Sequence, residues 1–224
     1  MRFRLPTPLH GWREFFGEIT IIVIGVLIAL AAGQIVEGVH WRNEVIEFRQ
    51  AADRELGYDV AAYAYRLRQG SCVSRRIADL KRWADSQQRG AVQPFAAEID
   101  RPSVLIFRSS VWSARSPDVM SHMPLDRRIA YASLYDRLAS FQAQVIDERE
   151  AWRSLAAYNG APRLSGETVM RLNELLYRAG SINDIMRRSA GPIADDLKVL
   201  GIRPRIDRRQ AMPPTAAFCR PLMT

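Results

Sequence analysis

Residues 19–36, ITIIVIGVLIALAAGQIV, decide the fold of this chain. They contain no Asp, Glu, Lys or Arg, and only Thr20 and Gln34 carry strongly polar side chains. At about 1.5 Å of rise per residue, a helix over this run is roughly 27 Å long, close to the hydrocarbon thickness of a bilayer. The sequence therefore predicts one transmembrane helix at 19–36, preceded by a leader at 1–18.

Aromatic residues flank the apolar run on both sides. On one continuous helix, the first and last tryptophans of this region would lie roughly 43 Å apart, about the distance between opposite headgroup layers. We therefore expect four membrane-interface anchors: Trp12, Phe15, Phe16 and Trp41.

Small residues recur within the predicted span. Gly25, Ala29 and Gly33 are four residues apart, so they share one helix face and would let two backbones approach closely. Gln34 could add an interhelical hydrogen bond. This pattern predicts a homodimer through the span, although Gly and Ala are common in spans and a chance arrangement is the alternative.

The Ala29-Leu30-Ala31 step has the small-x-small pattern of a signal-peptide cleavage site. However, the leader is long and contains Glu14 and Glu18, and the apolar run continues to Val36. These features favour a retained anchor over a cleaved peptide.

The orientation of the span is less strongly indicated, because arginines are balanced across it. Three precede it and three follow it closely: Arg2, Arg4 and Arg13, then Arg42, Arg49 and Arg54. A short leader stays in the cytoplasm more easily, and a cysteine pair suits an oxidising compartment. We therefore expect a bacterial inner-membrane protein with a cytoplasmic N-terminus and a periplasmic C-terminal domain.

The two cysteines, Cys72 and Cys219, are an even count behind a membrane-targeting segment, which predicts one disulfide. Cys219 lies in a Pro/Arg-rich tail at 203–224 that has no apolar periodicity, so a covalent link would explain how the tail docks. The alternatives are two separately buried thiols, or a Cys219 that pairs between molecules.

Apolar residues after the span recur at three- and four-residue steps, which predicts amphipathic helices. The first continues from the span to Gln69, and others are expected at about 72–88, 125–158, from Ser165 to about 191, and 192–200. The helix at 125–158 carries a coiled-coil-like heptad seam with one charged member, Glu148: Tyr131, Leu134, Leu138, Phe141, Val145, Glu148, Trp152 and Leu155.

Prolines cut residues 91–124 into short pieces. A strand at Val104–Phe107 has no visible partner, so short helices around Ser103–Ala114 and Pro117–His122 are favoured. The expected fold class is all-α: the transmembrane helix continues into an antiparallel helical bundle at 37–202, because helices joined by short turns bury their apolar faces against each other.

The span resembles the N-terminal anchor of a group of bacterial single-pass membrane proteins of unknown function. The resemblance is carried by Phe16-Gly17-Glu18-Ile19, by Ile22–Leu30 (IVIGVLIAL) and by Trp41, and it covers about residues 11–45. In that group a Gly-Glu-Ile step opens the span and a Trp follows it. The resemblance implies membrane anchoring and a helical extramembrane domain, and it implies no activity, cofactor or catalytic residue.

The net charge of +8 does not by itself indicate a nucleic-acid site, because 32 basic residues are mixed with 24 acidic ones. The basic cluster near the C-terminus contains no aromatic residues that could stack on bases. Its members are Arg203, Arg205, Arg208 and Arg209. We therefore expect no nucleic-acid partner.

The sequence contains no metal-ligand pair such as H-x-x-x-H or C-x-x-C, no G-x-S-x-G nucleophile motif and no phosphate-binding loop. Carboxylates such as Asp147, Glu148 and Glu150 are interpreted as solvated partners of arginines. No catalytic site and no cofactor are expected. The leading hypothesis is a periplasmic interaction or scaffold module. The alternative is a periplasmic ligand-binding sensor that signals through a separate partner.

Overall fold

The computed structural model describes residues 11–90, 94–103, 106–161, 163–205 and 218–223. All regular secondary structure in these ranges is helical, as the sequence predicts. The remaining parts of the predicted leader and tail, 1–10, 206–217 and 224, lie outside the described residues. The helices are α1 (Trp12–Arg68), α2 (Gly70–Gln88), α3 (Ser110–Ser113), α4 (Pro117–Ser121), α5 (Leu125–Ala156), α6 (Gly166–Arg188) and α7 (Ala190–Leu200).

Helix α1 is unbroken over 57 residues, which confirms that the apolar span continues into the bundle. Its length is roughly 85 Å at the usual helical rise. Beyond the span, one side of α1 becomes buried, beginning at Val45 and continuing through Ala52 and Leu56 to Tyr63. The same helix is therefore exposed in its first half and part of the core in its second.

Helix α2 continues the direction of α1 and does not fold back on it. Gln69 is the only residue between them, and its φ of −77° and ψ of −10° are helical. A single residue in this conformation bends the chain without reversing it. The break expected between the helix that ends at Gln69 and the helix at about 72–88 is thus a bend within one long rod.

Helix α5 runs parallel to this rod, because the residue numbers of the contacting pairs increase in the same direction along both helices. Tyr131 of α5 meets Asp53 of α1, and Glu148, further along α5, meets Arg66 further along α1. The chain returns toward the span between α2 and α5, where Ser103 lies near Gln69 and Ser110 near Glu55. It reverses again after α5, through a turn at Gly160 (φ +74°), and Ser165 then caps α6.

Helices α6 and α7 form a third rod that runs antiparallel to the other two. Ser189, again in a helical conformation, is the only residue between them. Near the start of α2, Asn183 of α6 donates to the Gly70 carbonyl, whereas Gly180 lies against Ile77 further along α2. The described bundle therefore contains two parallel rods and one antiparallel rod.

The core has two apolar clusters stacked along the bundle. The first joins α1 with α4, most of α5 and the end of the third rod, and the second joins α2 with the end of α5 and the start of α6. All eight members of the predicted α5 seam are buried, including Glu148. On α6, the apolar residues that recur at three- and four-residue steps are buried as well: Val169, Leu172, Leu176, Ala179, Ile182 and Met186.

Of the two short helices predicted before α5, the second is present as α4, whereas the first is limited to the four residues of α3 and does not include residue 103 or residues 106–109. Ser116 caps α4 by accepting a hydrogen bond from the Asp118 amide at 3.2 Å, and Pro117 occupies the first turn. Of the alternative strand, Val104 and Leu105 lie outside the described residues, and Ile106 and Phe107 have no regular structure.

Candidate functional site

The predicted span is exposed along its whole length in the isolated chain. Its most apolar 18-residue window has a mean hydropathy of 2.6, and none of that window is buried. Among the described residues, this is one helix long and apolar enough to cross a membrane by length and composition. Such exposure of large aliphatic side chains is costly in water, and it is expected where the surrounding solvent is lipid.

The small-residue seam lies on the side of α1 that points away from the bundle. At about 100° per residue, Gly25, Ala29 and Gly33 are roughly 120–160° around the helix from Val45, the first buried residue. A Cβ built on Gly25 or Gly33 meets nothing within 4 Å. Gln34 lies only about 20° from Val45, so the helix geometry puts it on the bundle side of α1, roughly 100–180° around the helix from the seam residues.

The predicted anchors differ in their surroundings. Trp12, Phe15 and Phe16 are exposed and their rings contact one another. Trp41 is half-buried, and its ring stacks on His122 with centroids 4.5 Å apart and planes 8° apart. Trp41 therefore ties the exit of the predicted span to the end of α4.

Two buried carboxylates one turn apart on α1, Glu55 and Asp59, form the most distinctive polar site outside the span. Glu55 accepts from the Tyr135 hydroxyl at 2.9 Å and from the Ser110 hydroxyl at 2.6 Å. Asp59 accepts from the Arg108 amide at 2.9 Å. The acidic pair, Glu55 and Asp59, thus fastens the segment 108–111 to α1, while Tyr135 fastens α5 to it.

Burial in this site raises the pKa of Asp59 from 3.8 to about 7, since desolvation disfavours the carboxylate. The hydrogen bond from the Arg108 amide opposes this effect, the neighbouring Glu55 charge adds to it, and the Arg108 charge opposes it. Asp59 is therefore poised to exchange a proton near neutral pH.

The tyrosines of α5 act as hydrogen-bond donors to this region of α1. Tyr131 donates to Asp53 at 2.5 Å, one turn from the Tyr135 contact with Glu55. Burial and these carboxylate partners raise the pKa values of both hydroxyls. Both tyrosines are buried, Tyr131 as the α5 seam predicts, and their hydroxyls donate to α1 carboxylates, which the apolar pattern did not indicate.

A second polar layer lies at the bend between α1 and α2. The Arg66 guanidinium forms a two-point ion pair with Glu148, donating from Nε at 2.8 Å and also from Nη2. Asn183 donates to the Gly70 carbonyl at 3.2 Å. Gln69, which is also buried, accepts from the Ser103 amide at 3.1 Å. Glu148 is thus a buried ion-pair partner, so interpreting it as a solvated carboxylate was wrong.

Cys72 and Cys219 are brought together at disulfide-bonding distance, with Cα atoms 4.9 Å apart. The tail around Cys219 also makes contacts other than this pair. Phe218 and Leu222 are buried, the Leu222 amide donates to Asp79 at 2.9 Å, and Arg76 donates to the Phe218 carbonyl at 2.6 Å. The tail therefore has packing and hydrogen bonds of its own beside the cysteine pair, which its lack of apolar periodicity did not indicate.

These polar sites connect different helices of the bundle to one another. Across the part of the chain that the structure describes, no group of three or more His, Cys, Asp or Glu is arranged to hold a metal ion. The acidic pair could have been suspected from two carboxylates spaced i, i+4 on an otherwise apolar stripe, but nothing in the sequence identified their partners. No family model, no curated protein and no solved structure matches this chain.

Proposed function

We propose that this protein is a membrane-anchored scaffold whose helical bundle binds other proteins in the bacterial periplasm. The observation that carries the proposal is the unbroken α1, which enters the core directly after the exposed apolar run. With no flexible joint between them, the bundle is held at a fixed angle and height above the bilayer. Such placement suits a protein that presents a surface to neighbours in or near the membrane.

The same proposal assigns the protein one span, a cytoplasmic N-terminus and no catalytic cofactor. Its partners are the lipid bilayer, a second copy through the span and a protein not yet identified. The disulfide-distance pair of Cys72 and Cys219 supports an oxidising compartment for the bundle. A C-terminal alkaline phosphatase fusion should be active, and a fluorescent reporter that matures only in the cytoplasm should be dark. The opposite pair of readings would overturn the orientation.

Proximity labelling tests the scaffold role. A periplasm-active labelling enzyme is fused to the C-terminus of the full chain, and the control carries the same enzyme directly after residues 1–43. We expect specific proteins to be enriched with the full chain over the control, because the control lacks the bundle. If no protein is enriched above the control, the scaffold role is rejected.

A ligand-binding sensor is the second candidate, and a cleft favours it. An open cleft of about 690 Å³ lies at the end of the bundle far from the span, and its lining includes Trp83, Phe95, Glu98 and Asn159. This volume is within the range of small-molecule sites, and it combines aromatic walls with a few polar groups. A ligand that binds the native state must raise its apparent stability, so thermal-shift screening of the purified protein tests this role. A screen without hits would favour the scaffold.

A further inference from the structure

The turn between α4 and α5, together with the first turns of α5, presents an apolar surface at the level where the predicted span leaves the membrane. We define the α4–α5 corner as residues 121–125. Its His122 ring stacks on Trp41 at 4.5 Å, and Trp41 is the anchor predicted to lie among the headgroups. The corner must therefore lie at about the same depth, because α1 is continuous from the span to Trp41.

Two aliphatic side chains extend this surface upward. Leu125 and Ile129 are each 58% exposed and lie one helical turn apart on the same face of α5. Ile146, a further exposed aliphatic residue of α5, lies roughly 80° around the helix from this face. Further from the membrane, the face of Leu125 and Ile129 carries only small or polar exposed side chains: Asp136, Ser140, Ala143 and Asp147. On this face of α5, large exposed apolar side chains are thus confined to the first two turns, which are the turns nearest to the level of Trp41.

We propose that the α4–α5 corner and Ile129 rest on the outer surface of the bilayer, with Leu125 inserted among the lipids. This inference rests on the proposed membrane anchoring. Exposed aliphatic residues next to a membrane exit gain the same stabilisation from lipid that buried residues gain from a protein core. The contact would give the bundle a second attachment point beside α1 and would limit its rotation about the span.

The experiment uses the full chain in lipid nanodiscs, with one copy of the protein in each disc. The lipids carry a spin-label quencher in the upper part of the acyl chain. A small fluorophore is placed on single introduced cysteines, with the native cysteine pair kept oxidised. Leu27→Cys reports on the span and Leu125→Cys on the corner. Ala143→Cys is the matched control, because Ala143 is exposed on the same face of α5, roughly 27 Å further from the membrane.

We expect strong quenching at position 27, clear quenching at 125 and none at 143. Adding Ile129→Asp should reduce the quenching at 125, because a carboxylate beside the label opposes insertion, whereas Ser140→Asp should leave it unchanged. If position 27 is quenched and 125 is not, the span is in the membrane and the corner does not touch it. If position 27 is not quenched, the membrane anchoring itself fails. If position 125 is protected from a water-soluble quencher only in discs that hold two copies, the corner is covered by a second copy of the chain and not by the bilayer.

Discussion

The guanidinium of Arg66 and the carboxylate of Glu148 form a fully buried two-point ion pair that joins α1 to α5 at the bend of the first rod. The two residues are 82 positions apart in sequence, and Glu148 is the one charged member of the apolar α5 seam. The pair fixes the register of the two parallel helices, because sliding either helix by one turn would leave two charges buried without partners.

Removing one partner of this pair should be strongly destabilising. We expect Glu148→Ala to lower the free energy of unfolding by about 3–5 kcal/mol, because the Arg66 charge would remain buried without its carboxylate. The double variant Arg66→Met/Glu148→Leu should recover most of this loss. Among the described residues, no hydrogen-bond partner reaches Arg66 Nη1, so the native pair is itself incompletely satisfied. Urea denaturation of the detergent-solubilised protein measures both, and a double variant as unstable as the single one would contradict the explanation.

The raised pKa of Asp59 predicts a pH-dependent stability. Because the native state holds the proton up to about pH 7 while the unfolded state releases it near 3.8, stability should fall as pH rises between these values. The fall contributed by this group is at most about 4 kcal/mol. Asp59→Asn keeps an acceptor for the Arg108 amide and cannot ionise, so it should remove this component and be more stable than the wild type at pH 8. Denaturation midpoints at several pH values test this, and equal pH slopes in both proteins would reject it.

Two glycines on different helices should respond in opposite ways to alanine. A Cβ on Gly57 would lie 3.0 Å from Arg205 Cγ and 3.2 Å from the Arg203 carbonyl, at the point where the Arg205 amide donates to the Gly57 carbonyl. A Cβ on Gly180 would meet only Ile77 at 3.7 Å, an ordinary contact. Gly180→Ala should therefore stabilise by about 0.5–1 kcal/mol through helix propensity, and Gly57→Ala should give no such gain and a net loss. A stabilising Gly57→Ala would show that the segment 203–205 moves aside freely.

The cysteine pair should be oxidised in the native protein and should stabilise it. The bond would close a loop of 147 residues, which corresponds to roughly 4–5 kcal/mol as an upper figure in the chain-entropy model. Mass spectrometry of an unreduced digest should find Cys72 and Cys219 in one linked peptide pair, and reductant should lower the denaturation midpoint. The double variant Cys72→Ser/Cys219→Ser should be insensitive to reductant. Two alkylatable thiols in unreduced native protein would refute the bond.

Self-association through the span is expected to depend on the face of α1 opposite the bundle. Replacing Gly25 and Gly33 with Leu should abolish the signal in a membrane two-hybrid assay, because close backbone approach drives association in lipid. Gly38→Leu is the matched control, since it lies on the bundle side of α1 and its new Cβ meets nothing within 4 Å. An unchanged signal in the double variant would reject the seam.

The helices and their buried faces could be predicted because each element carries its own period. The α5 seam and the α6 stripe are local patterns, and every residue assigned to them is buried. The direction of α2 could not be predicted in this way, because it depends on the backbone angles of the single residue Gln69. A bend and a reversal are both compatible with a Gly-Ser step.

The polar sites were harder to predict, because their partners come from distant parts of the chain. Glu55 and Tyr135 are 80 residues apart, and their contact follows from the parallel register of α1 and α5. The docking of the tail was equally hard to predict, because Phe218 and Leu222 are isolated apolar residues that belong to no periodic pattern. A single sequence contains the residues of such sites but not the pairing between them.

Because α1 is unbroken, the length of the stretch between Gly33 and Val45 matters for the structure even where its side chains make no contacts. Each residue added or removed there would turn the seam by about 100° relative to the bundle and shift the two by about 1.5 Å. Substitutions of its exposed residues are therefore expected to be tolerated, whereas single-residue insertions are not. The number of residues in this stretch therefore sets the rotation and the distance of the bundle relative to the seam in the span.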